Sequence, residues 1–356
     1  MTWLGLRDNS GSMLFDASGL IGPSAPAHGH DDFLPTGTLV LEFLNEPSDT
    51  RRNLIRFATR EPWHSSLRIS IDPDGSLHLM TAQGSQTLHH TLPTNLQYFE
   101  GAATLWYTWD APARIGTLAL QTADQVIFQA DIPSPQPMSV RDANRICTHP
   151  TQTEVGYGVS FHAISDRVEP IGPWARMGRN TKIETPKGLV PISAIKPGDL
   201  VLTADDDITQ VRWVGWQVLP ARGQFGPLAV RSPFFGASED VVTAPTQLIE
   251  LGGSKVEYLI GQEHVFAQVG HIVDGKGILQ CAPQPLVLYY DILLDTQAVL
   301  NISGVRMTSY DPSVLLDDPD TLQKSILRNI PKALLPKASV LSSPLLREFE
   351  AINVCL

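Results

Sequence analysis

Cysteine is scarce in this chain. Cys147, Cys281 and Cys355 are the three present, far apart and without a C-x-x-C pair. That spacing excludes a disulfide framework and a thiolate zinc site. Positive charge is also short: 26 Lys and Arg face 37 Asp and Glu, a net charge of −11, and no basic cluster of five or more appears. Nucleic acid and anionic membrane surfaces are therefore poor candidates for the main partner, because both demand a basic face. No apolar run reaches the length of a membrane-spanning helix. The first residues, MTWLGLRDNSGSMLF, lack the basic start and apolar stretch of a cleaved signal peptide, since Arg7 and Asp8 interrupt them early. A cytoplasmic location and export by an uncleaved signal both stay open.

What is present points to β-structure. The 356 residues are 42% hydrophobic, with 27 Gly and 28 Pro. Such a chain buries real cores and turns often, and its length suggests two domains. From Gly37 to about Asp131 hydrophobicity alternates with period two. In LRISID, Leu67, Ile69 and Ile71 share one face, and Arg68, Ser70 and Asp72 share the other. PDG at 73–75 turns the chain, and SLHLMT returns it as the second arm of a hairpin. TLWYTWD, RIGTLALQ and QVIFQAD continue the pattern. Strands at this spacing read as a sandwich or jelly roll. The succession over about 35–132 resembles the laminin-G and concanavalin A-like lectin sandwiches, a resemblance that implies glycan recognition.

Other chemistry in this half has bland readings. HGHDD offers His28, His30, Asp31 and Asp32 as ligands for a metal, but in a Pro/Gly/Ala-rich lead-in that reads as a solvated loop, so no metal or other cofactor is expected. His89 and His90 adjoin on a strand and face opposite ways. EFLNE supplies Glu42 and Glu46 without the middle carboxylate of a glycoside-cleaving run. Trp63, Trp106 and Trp109 suit core packing better than sugar stacking. Cys147 with His149 reads as an ordinary loop thiol. Residues 136–175 look like a linker: after the proline-rich IPSPQP comes a short helix at SVRDANRI capped by Ser139, then a loop, then a strand at VSFHAIS.

The second half carries a sharper signal. TKIETPKGLVPISAIKPGDLVLTADD reads strand, turn, strand, turn, strand. Its Lys196-Pro197-Gly198-Asp199 has Pro and Gly where a type II turn requires them. The elements Thr181, Pro186 and Gly188, then Pro197, Gly198 and Asp199, resemble the opening of the Hint fold shared by hedgehog autoprocessing domains and inteins. Bacterial Hint-domain proteins are the nearer likeness. It continues through ITQVRWVGWQVLPA, DVVTAPTQLIEL, VEYLIGQEHVFAQVGHIVDGKGI with His271, and YYDILLDTQAVLNISGVRMTSY, about 160–312 in all.

The resemblance implies a self-cleaving site: a cysteine that attacks the preceding peptide carbonyl, and a histidine that assists proton transfer. Here the nucleophile position, five residues before Thr181, holds Arg176. A guanidinium stays protonated and has no lone pair to attack with. The second-block histidine position holds Gln247, which hydrogen-bonds but does not shuttle protons. The last-block histidine positions hold Asp291 and Gln297. Thr181 lies too late to replace the nucleophile and Ser165 too early. His271, among apolar residues, reads as structural.

The tail promises two helices, one from the Asp-capped DPDTLQKSILRNIPKALL and one from SSPLLREFEAINVCL with Ser343 as cap.

The expectation is a mainly β protein with a lectin-like sandwich at 1–135, a linker at 136–175, a Hint-like domain at 176–312 and a helical tail at 313–356. It would bind a glycan or protein ligand without self-cleavage. The competing expectation is a still-active autoprocessing protein with an unusual nucleophile, and a purely structural particle component is a third. Oligomeric state is not legible.

Overall fold

The computed structural model describes residues 3–21, 27–336 and 343–355. It divides into two compact units, Met1–Gly172 and Pro173–Leu356.

The first unit is a sandwich of two antiparallel sheets. One runs Ile127–Pro133, Ile115–Thr122, Gly101–Asp110, Thr36–Asn45, Val159–Ser165, Trp3–Asp8 and Met13–Phe15. The other runs Thr153–Val155, Arg52–Thr59, Ser65–Ile71, Leu77–Gln83 and Gln86–Leu92. Register explains the core. Leu41 pairs with Leu105, and Leu105 with Leu120, so one inward row crosses three strands. Ile55, Ile69 and Leu79 make the matching row of the other sheet. All six side chains are fully buried in one apolar cluster, where burial stabilises by roughly 25 cal/mol per Å². Gly37 lies opposite Trp109 in the ladder, where a Cβ would sit 2.1 Å from the indole Cζ2. Its missing side chain lets the ring lie across the strand and donate its N–H to the Leu34 carbonyl at 3.0 Å.

The hairpin at 67–80 forms as the alternation dictates, with Gly75 at φ +82° and its N–H on the Asp72 carbonyl. Trp106 and Trp109 are buried, and Trp63 stacks on Phe33 at 5.7 Å. Glu42 is buried and Glu46 exposed beyond the end of its strand.

The stretch 136–175, expected as a linker, belongs mostly to this sandwich. Val159–Ser165 is an interior strand that pairs with both Thr36–Asn45 and Trp3–Asp8. Its partners lie more than a hundred residues earlier, and no local pattern announces a pairing of that range. The helix Val140–Thr148 forms as read, with Ser139 Oγ accepting from the Asp142 N–H at 3.0 Å.

The second unit is also built of strands. One six-stranded sheet runs Trp213–Pro220, Leu286–Leu293, Met177–Gly178, Val241–Thr243, Leu228–Val230 and Ile278–Gln280. The other runs Gly188–Pro191, Lys182–Thr185, Val299–Ile302, Val305–Thr308, Leu248–Gly252 and His264–Gln268. A small hairpin, Leu200–Leu202 with Ile208–Gln210, completes it.

The tail is less helical than its periodicity suggests. Asp318 caps Pro319–Lys324 through the Asp320 N–H, but the helix stops there, and Ser325–Ile330 forms turns. The last helix starts at Glu348 rather than behind Ser343. Residues 344–346 instead run alongside Phe266, whose N–H bonds the Pro344 carbonyl and whose carbonyl takes the Leu346 N–H. They cover the edge of the sheet at His264–Gln268, whose backbone groups would otherwise lack partners.

Candidate functional site

The short strand Met177–Gly178 is wedged between two longer ones: Met177 pairs with Tyr290 on one side and Thr243 on the other. This wedge fixes Arg176 at the junction. Its carbonyl accepts from the Ala244 N–H at 2.7 Å and the Thr243 hydroxyl at 2.9 Å. Its Nε donates to Asp291 Oδ2 at 3.2 Å, and its other arm reaches the Ser309 carbonyl at 3.2 Å. The Arg176 backbone N–H also bonds the Asp291 carboxyl. The guanidinium lies 6.0 Å from the centre of the Tyr310 ring, within reach of a cation–π attraction.

Asp291 is fully buried. Burial pushes its carboxyl up to about 6, while Arg176 and the backbone N–H of Ile292 pull the other way. The guanidinium beside it is the largest of the pulls that oppose this burial. Tyr310, buried beside this pair, donates its hydroxyl to the Pro173 carbonyl at 2.8 Å, and burial pushes the phenol far up.

Gln247 is fully buried and donates to the Thr308 carbonyl at 2.8 Å. Arg176 takes the next carbonyl along, Ser309. Two of the sequence-selected residues thus grip one strand end, and a third, Asp291, grips Arg176. Gln297 stands apart, half-buried between the strands that end at Leu293 and begin at Val299. The Gln247 Oε1 has no partner among the described residues. The hydrogen bonds hold the Nε and Nη2 of Arg176 and the Nε2 of Gln247 against protein groups, an arrangement that clamps the backbone at Thr308 and Ser309.

Other selected residues have structural partners. Thr181 bonds the Val242 carbonyl at 3.0 Å, tying the two sheets' strands together. Thr185, before Pro186, bonds the Gly188 carbonyl at 2.7 Å, and Gly188 takes φ +103°. His271 is half-buried on the turn Val269–Ile272, where desolvation lowers its pKa against an upward pull from Glu348. The HGHDD side chains do not converge: His28 faces Asp166 at 3.3 Å, Arg141 takes His30 and Asp31, and Asp32 accepts the Gly29 N–H. No group of three or more metal-ligating side chains occurs among the described residues. No described helix is long and apolar enough to cross a membrane. Cys147 is buried, its thiol pushed up to about 12.

Thr243, Ser309 and Tyr310 belong to this site and were not singled out from the sequence. The closing TSY of the last block places two of them, but only the fold brings them to Arg176.

Residues 177–314 match the family model described as the Hint domain. The chain therefore carries a Hint domain behind a β-sandwich. No curated protein matches it. Among solved structures it is similar to the MchDnaB-1 intein, at 18% identity over 38% of this chain and 99% of that one, with a TM-score of 0.25. A bacterial intein-like domain from Clostridium thermocellum gives 16% identity over 39% and 100%, with a TM-score of 0.26. The CBM40 of the Ruminococcus gnavus IT-sialidase gives 11% identity over 47% and 88%, with a TM-score of 0.29.

Proposed function

We propose that the Hint domain of this chain does not cleave itself, and that the protein works as a binding protein whose sandwich recognises a glycan. The observation that carries the first half is the state of Arg176. The residue at the nucleophile position is an arginine in a buried ion pair with Asp291, and its own backbone N–H and carbonyl are both engaged. An acyl shift needs a nucleophilic side chain poised on the preceding carbonyl and a donor that protonates the departing nitrogen. Arg176 supplies no nucleophile, and Gln247 supplies no proton. The pair Arg176–Asp291 serves instead as a lock that fixes the strand junction.

The sandwich carries the recognition role. A CBM40, to which the chain is similar, has been determined with sialyllactose bound, which fits the expectation drawn from the strand pattern. The domain boundaries proposed for the binding part are those of the first unit, so Val159–Ser165 belongs with it. A binding screen of the full chain against an immobilised panel of neutral and acidic glycans tests this half. Retention by at least one saccharide class above a bare-surface control is expected; a chain that passes over the whole panel unretained is not a glycan-binding protein.

A further inference from the structure

The sandwich opens at one edge into a cleft of about 690 Å³, a volume that suits one or two sugar rings. Its walls come from the turn after Trp3–Asp8 and from the loop between Thr153–Val155 and Val159–Ser165. Tyr157, 84% exposed, stands on that loop between Gly156 and Gly158. Met13 and Leu44 add exposed apolar surface, and Asn9 and Ser160 add hydroxyl and amide groups.

Arg7 is the one permanent cation among the lining residues. It is half-buried, and its Nη1 donates to the Thr153 carbonyl at 3.2 Å. That bond leaves most of the guanidinium's N–H groups without a partner among the described residues. Asp8 also lines the cleft, and its Oδ1 accepts from the Ser10 N–H, the Ser10 hydroxyl and the Ser12 N–H. Directly across the ladder from Arg7 is His162. Its Nε2 donates to the Ile146 carbonyl at 3.1 Å, so its Nδ1 is an acceptor, and it has no partner among the described residues. The imidazole is neutral, and the positive charge of the cleft floor belongs to Arg7 alone.

A partly desolvated guanidinium with free N–H groups recognises a carboxylate. A flat exposed ring in the same cleft suits the C–H face of a pyranose. Resting on the glycan-recognition reading above, we propose that this cleft binds an acidic sugar unit, its carboxylate on Arg7, its ring face on Tyr157 and its hydroxyls at Asn9 and Ser160.

Calorimetric titration of the full chain with glucuronic acid and N-acetylneuraminic acid, with glucose as the neutral control, tests the assignment beside the glycan panel. Binding of at least one of the two acids is expected. Arg7→Ala and Tyr157→Ala should each weaken it about tenfold or more, with Arg7→Lys intermediate. Tyr157 is so exposed that its loss leaves folding intact, so its variant keeps the test valid if Arg7→Ala is unstable. Binding of an acid with undiminished affinity in both variants would overturn the site. Retention of the wild type by neutral glycans only, with neither acid bound, would overturn the ligand class. Failure on the entire panel would remove the glycan reading itself.

Discussion

Arg176→Ala is expected to destabilise the Hint unit by about 3–5 kcal/mol, because it strips the partner from a buried carboxylate. Asp291 has no solvent exposure, and its carboxyl already sits at about 6 with Arg176 in place. Without the guanidinium the burial penalty stands unopposed, and the carboxyl takes up a proton at a still higher pH. The variant should therefore lose most stability above pH 7 and recover part of it near pH 5. Replacing both partners, Arg176→Met with Asp291→Leu, removes the desolvation penalty along with the attraction, so the double variant should stand much closer to the wild type than either single one. Urea unfolding of the wild type, Arg176→Ala, Arg176→Met, Asp291→Leu and the double variant at pH 5 and pH 8 checks this. Equal losses in the single and double variants would mean that packing around Tyr310, and not charge pairing, carries the energy.

Acid should weaken the sandwich by a different route. His162 is fully buried, and desolvation first, with the Arg7 charge adding to it, lowers its pKa from 6.5 to about 4 despite the hydrogen bond to Ile146. Above pH 6.5 the ring is neutral in both folded and unfolded chains. Below that, the unfolded chain binds a proton that the folded sandwich refuses until about pH 4. Stability is thus fully present above the unfolded pKa and falls through this window, by about 3 kcal/mol in total. Asp291 has the opposite sign: its folded pKa is raised, so the Hint unit gains stability as pH falls through the same range. Hydrogen exchange resolves the two units. Amides of Val159–Ser165 should lose protection between pH 6.5 and 4, after correction for intrinsic exchange, while those of Leu286–Leu293 should not. A His162→Leu variant should show a shallower pH profile in the sandwich than the wild type, whatever its absolute stability, the remaining slope coming from groups such as His90 whose pKa is also lowered.

How far these sites could be read in advance depended on the range of the interactions. The Hint unit is punctuated by local chemistry. In Lys196-Pro197-Gly198-Asp199 the Asp199 N–H closes on the Lys196 carbonyl at 3.1 Å, and Gly198 takes φ +96°. A turn of that kind needs no distant information, so the order of strands could be laid out from it. The Hint resemblance, and not turn chemistry, set Arg176 and Gln247 against the Cys and His expected of a cleaving site. The ion pair with Asp291 spans 115 residues of chain, and the bond to Ser309 spans 133. Neither could be read from spacing. The interior strand at 159–165 was legible as a strand but not as part of the sandwich, because both its neighbours come from the far end of the unit. The tail misled for a related reason: Leu322, Ile326 and Ile330 keep helical spacing, yet the helix closes at Lys324, where the Ser325 hydroxyl turns the chain. Arg7 and Tyr157 did not stand out as site residues because neither belongs to a motif. Only folding sets them along one cleft.

Whether the Hint domain cleaves itself is decided by the intact mass of the purified full-length chain. It should be incubated with and without dithiothreitol or hydroxylamine, which capture any ester or thioester formed at the junction. A single species at 38.9 kDa is expected under every condition. Two fragments that sum to that mass, with the break beside Arg176, would contradict it.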